Sequence, residues 1–532
     1  MTYSSRVPRS SPPPAPGRIL SLVLAAAGGG ALFLSFPDSD VWGLAFVAVA
    51  LLYVALQRRG LWWNALVGLV FGLAFFPAHL WWSDEAAGVV AWLALSVSEA
   101  AFLALLGAAW SLARGLRPLG RAAWWDALAF PFLFTGVEAL RSAWPWGGFP
   151  WGRLAFAQVD SPVGRLAPLG GTVLVSFAVA VIGTLLGLVV LRAVRLRVMG
   201  VVAGTVAAFA LVVAPLSVGL DVLPQDGELK VGMVQGNVSK PGASAFDNAG
   251  EVLRNHLSGT YALLDHVRPG DLDMVIWPEN GSDYDPQRYA DVGDAITQAA
   301  KAVGAPILVG TQEYPKTGGR YNVSLLWDPD KGVIDRYVKQ HPVPFGEYIP
   351  LRDFVRHFSA SVEEVQTDML PGHDPAVMRL PSARLGRDVP FSTVICFEVA
   401  YDSIVEQSVR LGSEAIVVQT NNASFGYTAE STQQLAMTRF RAMETGRAAV
   451  QVSTVGVSAV VSPSGIVLQR TGLFEPAQLT ADLPLRTGIT PAVRAGEWPA
   501  RGAASVAALL VVGGMIGSLR RARQRRRLPG ER

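Results

Sequence analysis

The sequence predicts a polytopic helical membrane bundle of about eight transmembrane helices that carries one large α/β domain. Three observations support this prediction: an apolar composition, eight long apolar runs, and a polar stretch in which strand-like and helix-like segments alternate. Of the 532 residues, 51% are apolar and 16% are charged, whereas soluble globular proteins carry roughly 25% charged residues. With a mean hydropathy of +0.33, much of the chain is expected to lie in a bilayer rather than in water.

Each of the eight apolar runs is long enough to cross a bilayer, which takes about 20 helical residues. They lie at residues 19–36, 41–56, 61–82, 87–113, 122–144, 169–191, 198–220 and 501–519. Residues 1–18 form a Pro/Ser/Arg-rich tail that we expect to be disordered, and residues 520–532 form a basic tail. A basic tail next to an apolar run is typical of a cytoplasmic membrane edge, so we favour membrane over nucleic acid as its partner.

The charges between the runs predict the orientation of the bundle. Arginines lie before the first run and after the second, fourth and sixth, whereas the gaps after the first and third carry carboxylates. Because cytoplasmic gaps are enriched in Lys and Arg, both termini are expected in the cytoplasm. Residues 19–220 then form a membrane domain of seven spans, residues 221–499 an extracytoplasmic domain, and residues 500–519 the eighth span.

The predicted extracytoplasmic domain alternates between strand and helix patterns, which favours a layered α/β fold. Its length suits one large domain with its own core. Strands are expected at 229–235, 274–277, 307–311, 323–327, 333–338, 393–395, 415–419, 450–453 and 458–461, and helices at 251–266, 291–303, 401–411 and 432–444.

Three polar residues each stand at the end of a predicted strand: Glu279, Lys339 and Cys396. Cys396 is the single cysteine of the chain, so it is either an inert buried thiol or a nucleophile. Taken alone, the glutamate fits a solvated loop and the lysine fits a surface charge. Their joint occurrence, each within a tight local motif, indicates a site assembled from strand ends that converge on one sheet edge.

The three motifs carry a resemblance to a known family. Trp277-Pro-Glu-Asn280, the segment from Tyr337 to Pro350, and Ile395-Cys-Phe-Glu398 resemble the catalytic motifs of the nitrilase, or carbon–nitrogen hydrolase, superfamily. With seven spans before that domain and one after it, the chain is similar to the bacterial apolipoprotein N-acyltransferases, the membrane-embedded branch of the superfamily. The resemblance covers nearly the full chain and implies a nitrilase-like αββα sandwich for the α/β domain.

The resemblance also implies a role for each motif residue. Cys396 is the expected nucleophile, Glu279 the proton acceptor, and Lys339 the group that stabilises the oxyanion, together with the backbone N–H of Phe397. A thiol of ordinary pKa needs a base or a nearby cation. The helix expected from Tyr401 would lower the thiol pKa further through its N-terminal dipole.

The implied reaction is acyl transfer with ping-pong kinetics. A fatty acyl chain passes from a membrane phospholipid to Cys396 as a thioester, and then to the α-amino group of an S-diacylglyceryl-cysteine. That cysteine is the N-terminal residue of a diacylated apolipoprotein, and its acylation is the last step of lipoprotein maturation. The expected enzyme works without cofactor or metal, as a monomer, in the cytoplasmic membrane of a bacterium.

Further site residues carry open alternatives. Glu347 matches a second glutamate that nitrilase-like enzymes place beside the lysine, or it caps a helix. Glu398 either positions an amine or binds backbone. Phe397 stands where tyrosine is frequent in the family, and Ser424 where tryptophan is common, so the acyl-chain preference cannot be carried over. Asn237 and Ser424 are possible substrate contacts.

One feature of the predicted membrane domain and one of the catalytic domain each allow two interpretations. Glu138 and Arg141 lie three residues apart in the fifth run, so they form an ion pair or else contact a lipid head group or the substrate. Leu351, Phe354, Val355 and Phe358 recur at helical spacing, as in ordinary core packing or in an amphipathic lid on the outer leaflet.

Two other functions compete with acyl transfer. A membrane-anchored nitrilase-type amidase or hydrolase of an extracytoplasmic substrate would use the same three residues, although eight spans exceed what a tether needs. A transporter is disfavoured because the runs contain few polar residues and no paired broken helices. The six histidines show no ligand spacing with cysteine or carboxylates, so the sequence predicts no metal site.

Overall fold

The computed structural model describes residues 15–116, 122–239, 250–357, 362–363 and 365–527. Within them the chain forms a helical bundle and one α/β domain. The helices are α1 (Arg18–Phe33), α2 (Leu44–Ala55), α3 (Leu61–His79), α4 (Trp82–Ala113), α5 (Ala122–Arg141), α6 (Ala167–Ala193), α7 (Val198–Val213), α8 (Glu251–Ala262), α9 (Ala290–Val303), α10 (Arg352–Val355), α11 (Asp402–Arg410), α12 (Glu430–Thr445), α13 (Pro491–Ala495) and α14 (Trp498–Arg527).

Each of the eight apolar runs is helical, because a helix satisfies all its backbone groups internally. Five segments of the described chain are long and apolar enough to cross a membrane: Leu61–His79, Trp82–Leu116, Pro162–Ala193, Val198–Ser217 and Trp498–Arg521. The helices α1 and α2 are apolar but have only 16 and 12 residues. The remaining helix, α5, carries three charged side chains besides its apolar ones.

Small residues allow the bundle helices to pack closely. A Cβ atom on Gly68 of α3 would stand 1.9 Å from the carbonyl oxygen of Leu103 in α4. One on Gly107 of α4 would stand 1.9 Å from the carbonyl oxygen of Asn64 in α3. Side chains at these positions would force the two helices apart, as in other close helix pairs of membrane proteins. The last helix, α14, packs against α4 and α5 and so returns to the bundle.

The α/β domain contains two six-stranded sheets. The strands are β1 (Gln225–Gln235), β2 (Met274–Ile276), β3 (Ile307–Glu313), β4 (Tyr321–Asp328), β5 (Gly332–Val338), β6 (Val377–Ser382), β7 (Arg387–Ile395), β8 (Ile416–Thr420), β9 (Ala449–Ser453), β10 (Ala459–Val461), β11 (Val467–Arg470) and β12 (Ala477–Arg486). One sheet has the order β12-β1-β2-β3-β4-β5 and the other β11-β10-β9-β8-β7-β6. Strands β1, β2 and β3 run parallel to one another, as do β7, β8 and β9.

The two sheets form the centre of a four-layer sandwich. Helices α8 and α9 pack on the first sheet, and α11 and α12 on the second. Between the sheets, Gln419 Nε2 donates a hydrogen bond to the carbonyl of Trp277 at 2.6 Å, and the hydroxyl of Ser324 donates to Gln419 Oε1. The predicted nitrilase-like α/β architecture is therefore confirmed as an αββα arrangement.

The strand prediction for this domain needs correction, whereas the two interpretations of the 351–358 segment stay open. Strands β6, β11 and β12 were not predicted; β12 lies at a sheet edge and contains Pro484, which breaks the pattern of a strand interior. In the proposed lid segment the helix α10 spans one turn only. There Leu351 and Phe354 are exposed, Val355 packs against a small buried cluster, and Phe358 lies outside the described residues.

Candidate active site

The ends of β2, β5 and β7 bring a carboxylate and a lysine together beside the thiol. Glu279 follows β2, Lys339 follows β5 and Cys396 follows β7. The Nζ atom of Lys339 lies 3.1 Å from Glu279 Oε1, and the lysine side chain is fully buried. Burial of a charged amine next to a carboxylate is typical of a site built for chemistry rather than of a surface ion pair.

Glu279 is held by three donors on two sides. Its Oε1 accepts hydrogen bonds from Lys339 at 3.1 Å and from Asn322 Nδ2 at 2.6 Å. Its Oε2 accepts from the backbone N–H of Asn421 at 2.9 Å. These contacts fix the orientation of a carboxylate that is 4% exposed, so the group is pre-organised to move a proton at a defined place.

Lys339 lies between two carboxylates. Besides Glu279, its Nζ contacts Glu347 Oε1 at 2.6 Å, while Glu347 Oε2 accepts from the backbone N–H of Val343 at 2.7 Å. Burial by itself would lower the pKa of Lys339, but the charges of Glu279 and Glu347 outweigh it and raise that pKa well above its usual range. The lysine therefore stays protonated, as an oxyanion stabiliser requires, and of the two alternatives for Glu347 the contacts match the place beside the lysine.

Cys396 stands in a strained turn at the end of β7. Its backbone has a φ of 54°, in the left-handed region that non-glycine residues rarely adopt. Burial, followed by the charge of Glu279, raises the pKa of the thiol well above its usual value, and Lys339 offsets only part of this. The helix expected from Tyr401 is α11, which begins at Asp402 after a 3-10 turn over Cys396–Ala400, and a lowering of the thiol pKa by its dipole stays a prediction. The resting thiol thus needs a base.

Glu398 stabilises this turn through backbone contacts, which was one of its two predicted roles. Its Oε2 accepts from the N–H of Ile395 at 2.8 Å, and its Oε1 from the N–H of Gln340 at 2.6 Å. The hydroxyl of Tyr337 donates to both oxygens. Burial raises the pKa of Glu398 to about 7. One carboxyl group therefore ties the strand end that carries the lysine to the turn that carries the thiol.

The site also contains residues that sequence reasoning missed. Asn322 and the N–H of Asn421 orient Glu279, and Tyr337 binds Glu398. The Nε2 of Gln434 lies 3.7 Å from Cys396 Sγ, within hydrogen-bond range for sulfur. Two of these residues had a signal in the sequence: Gln434 forms part of a pair of adjacent glutamines inside a predicted helix, and Tyr337 is the first residue of the motif that contains Lys339. Asn322 and Asn421 had none.

Aromatic rings from the loop that follows α5 contact the turn that contains Cys396. Phe397 stacks on Phe149, with ring centroids 5.6 Å apart, and on Trp151, with centroids 5.7 Å apart. Both rings belong to the loop that follows α5. The indole of Trp151 also donates to Gln433 Oε1 at 2.6 Å, and Trp82 of α4 donates to the same oxygen at 3.2 Å. The thiol therefore lies at the junction between the α/β domain and the bundle.

Glu138 and Arg141 do not pair with each other, so the predicted ion pair is wrong. Arg141 binds Glu99 at 2.8 Å and the carbonyls of Phe149 and Trp151. Glu138 accepts from the N–H of Leu154 at 2.8 Å. Helical spacing indicates which residues share a face, but here each side chain finds a better partner on another segment.

The remaining predicted contacts lie near the site's loops. Asn237 has a buried Oδ1 with no hydrogen-bond partner in the described part of the chain, and its N–H donates to Thr454 O at 2.9 Å. Ser424 is half-buried in the loop that begins with Asn421. Substrate contact by these residues stays a prediction. Among the described residues no group of three or more His, Cys, Asp or Glu could hold a metal ion.

Two family models match the chain, one in the helical bundle and one in the α/β domain. The family model described as apolipoprotein N-acyltransferase N-terminal domain matches residues 28–185, and the carbon–nitrogen hydrolase model matches residues 230–490. Among solved structures, an amidase mutant of the nitrilase superfamily from Nesterenkonia has a TM-score of 0.37 at 18% identity, covering 51% of this chain and 95% of its own. Nit3 of Saccharomyces cerevisiae has a TM-score of 0.37 at 18% identity, covering 49% and 91%.

Two curated relatives are similar along nearly all of the chain. An apolipoprotein N-acyltransferase of Mycolicibacterium smegmatis is 36% identical over 526 residues, covering 94% of this chain and 84% of the relative. One of Azotobacter vinelandii is 31% identical over 520 residues, covering 92% and 93%. On this similarity, the chain belongs to the apolipoprotein N-acyltransferase family.

Proposed function

We propose that this enzyme transfers a fatty acyl chain from a membrane phospholipid to the α-amino group of the N-terminal S-diacylglyceryl-cysteine of apolipoproteins. The observation that carries the proposal is the position of the thiol. Cys396 is close enough to the buried Glu279–Lys339 pair to interact with both charges, and the ring next to it, Phe397, packs on rings from the bundle. A nucleophile at that junction suits substrates whose acyl chains remain in the membrane.

In the first step Cys396 attacks the ester carbonyl of the phospholipid. Glu279 takes the thiol proton as the carbon–sulfur bond forms, and the charge that develops on the carbonyl oxygen is stabilised by Lys339 and by the N–H of Phe397. When the tetrahedral intermediate collapses, the carbon–oxygen bond breaks and Glu279 returns its proton to the departing glycerol oxygen. A thioester on Cys396 and a lysophospholipid are the products.

In the second step the neutral α-amine attacks the thioester carbonyl. Glu279 accepts a proton from the amine, the carbon–sulfur bond breaks, and the thiolate of Cys396 takes that proton back. A thioester is a good intermediate because it reacts with amines more readily than the original ester does. The net reaction consumes a phospholipid and a diacylated apolipoprotein, and it restores the enzyme.

The topology of the protein is part of the proposal. Residues 1–18 and 520–532 are cytoplasmic tails, residues 19–220 supply seven membrane helices, and residues 500–519 supply the eighth. Residues 221–499 form the extracytoplasmic catalytic domain of a monomer in a bacterial cytoplasmic membrane. The alternation of basic and acidic gaps supports this arrangement. The test uses a Cys396→Ala protein, which has no cysteine, with one new cysteine introduced near residue 197 or near residue 221. In intact cells a membrane-impermeant thiol reagent should label the cysteine near residue 221 and not the one near residue 197, and the reverse pattern would contradict the topology.

The catalytic proposal is tested with pure protein, labelled phospholipid and a diacylated lipopeptide. We expect a hydroxylamine-labile acyl-enzyme with phospholipid alone, and a labelled amide once the lipopeptide is added. Cys396→Ala should form neither and should still insert into membranes. Amide formation by Cys396→Ala would contradict the assignment of the nucleophile. Release of free fatty acid without amide would support the alternative, a membrane-anchored hydrolase.

A further inference from the structure

We propose that Gln434 is a further catalytic residue, whose amide N–H stabilises the Cys396 thiolate whenever the carbon–sulfur bond forms or breaks. This inference rests on the proposed function, in which a thiolate is the nucleophile of the first step and the leaving group of the second. Gln434 lies in the second turn of α12 and is fully buried. Its Nε2 lies 3.7 Å from Cys396 Sγ.

The orientation of the Gln434 amide is fixed by Asn422. The Oε1 atom of Gln434 accepts from Asn422 Nδ2 at 3.0 Å and lies 2.9 Å from the hydroxyl of Thr420. Because the NH2 group of Asn422 can only donate, the carbonyl end of the Gln434 amide must face it. The NH2 end is then the one that faces the sulfur, where it can only donate.

The side-chain amide of Asn422 is oriented by its own hydrogen bonds, so the positions of its oxygen and nitrogen are also defined. The N–H of Gly456 donates to Ser453 Oγ at 2.8 Å, and that hydroxyl donates to Asn422 Oδ1 at 2.5 Å. On its other side Asn422 Nδ2 donates to Glu430 Oε2 at 2.6 Å. Hydrogen bonds therefore run in one direction, from a backbone N–H through Ser453, Asn422 and Gln434 to the thiol sulfur.

The Cys396 thiolate needs stabilisation that a hydrogen bond from the Gln434 N–H can supply. Burial and the carboxylate of Glu279 both disfavour the thiolate, and Lys339 is shared between two carboxylates. A neutral donor aimed at the sulfur stabilises negative charge there without adding a charge that would compete for Glu279. Hydrogen bonds to an ionised group are stronger than those between neutral groups, so the contact favours the thiolate over the thiol.

The test measures the thiol directly. Because the chain has a single cysteine, iodoacetamide alkylation as a function of pH reports the pKa of Cys396 in the intact protein, without lipid substrate. Gln434→Met keeps the length of the side chain and removes the donor. We expect the thiol pKa to rise by about one unit, with roughly tenfold slower alkylation at neutral pH and acyl-enzyme formation slowed to a similar degree.

Gln433→Met is the matched control. It removes the neighbouring buried amide from the same helix, but that amide binds Trp82 and Trp151 instead of the sulfur. The thiol pKa should therefore not change in the control. An unchanged thiol pKa in Gln434→Met, or an equal rise in both variants, would overturn the inference.

A second variant covers the case in which Gln434→Met does not fold. Gln434→Asn keeps the amide but withdraws it from the sulfur by one methylene group, and it should raise the thiol pKa in the same way. If it leaves the thiol pKa unchanged, the inference fails. Since alkylation needs no acyl donor, a failure of the proposed acyl transfer would leave these results unaffected, and the two failures can be told apart.

Discussion

Replacing Lys339 by methionine should separate the structural and the catalytic work of its ammonium group. The lysine is fully buried between Glu279 and Glu347, whose side chains are 5% and 17% exposed. Removing one member of a buried ion pair costs about 3–5 kcal/mol, because the remaining charge has no partner. We expect Lys339→Met to lose about that much stability, measured by thermal or denaturant unfolding in a defined detergent.

A second substitution should restore stability but not chemistry. In Lys339→Met/Glu347→Gln one of the two unpaired carboxylates becomes neutral, and we expect about 2 kcal/mol of the lost stability to return, within the usual range of pairwise couplings. Formation of the acyl-enzyme should remain about 10²–10³-fold slower than in the parent, since no cation is left to stabilise the oxyanion.

The exposed pair Lys301–Asp330 supplies the control for this experiment. Its atoms are 3.8 Å apart and its side chains are 58% and 81% exposed, and such pairs contribute about 0–1 kcal/mol. Lys301→Met should therefore change neither stability nor acylation measurably. If the double variant recovered acyl-enzyme formation along with stability, Lys339 would serve only to balance charge, and its assignment to the oxyanion would be refuted.

Three further predictions follow from buried contacts. Arg141→Met should cost about 3–5 kcal/mol by leaving Glu99 unpaired in the bundle, and a normal melting temperature would contradict it. Gly171→Ala should cost about 1–3 kcal/mol, since φ is 62° and its Cβ would stand 2.6 Å from Glu444 Oε1; unfolding measurements check this. Burial raises the pKa of Glu430 to about 8, so the native state binds a proton more tightly than the unfolded chain and loses stability as pH rises from about 4.5 to 8. Glu430→Gln should flatten that decline in melting temperature, and an unchanged slope would contradict the reasoning.

The three motif residues could be predicted because each follows a short apolar strand within a distinct local pattern. Glu279, Lys339 and Cys396 are far apart in the sequence, and they do not share one sheet edge as the sequence analysis expects. Glu279 and Lys339 follow β2 and β5 of one sheet, whereas Cys396 follows β7 of the other. What the sequence could not show is how the carboxylate is held. Asn322 and the N–H of Asn421 have no pattern of their own, and their contacts with Glu279 depend on how the strands and loops come together.

Charged side chains in the bundle were harder to assign. Glu138 and Arg141 share a helical face, which made a local pair the simplest expectation, but Arg141 instead binds Glu99 and two carbonyls of the following loop. In a setting with little water, a guanidinium selects the partners that satisfy most of its donors. Those partners come from another helix and a loop, so sequence spacing did not indicate them.

The missed strand β12 shows a similar limit within the α/β domain. Ten residues from Ala477 to Arg486 pair along β1, but few of them are buried and a proline lies among them. Edge strands tolerate proline and polar residues because only one neighbour needs their hydrogen bonds. Such a strand is specified mainly by its partner, and little of that information is present in its own composition.

The contact between Phe397 and the loop that follows α5 has a mechanical consequence. Phe149 and Trp151 follow the end of α5 and stack on Phe397, so any displacement of that helix end would be passed directly to the turn that holds the sulfur. Under the proposed topology, in which α5 lies in the bilayer, lipid tail length should therefore influence turnover even when the head group and the acceptor stay the same.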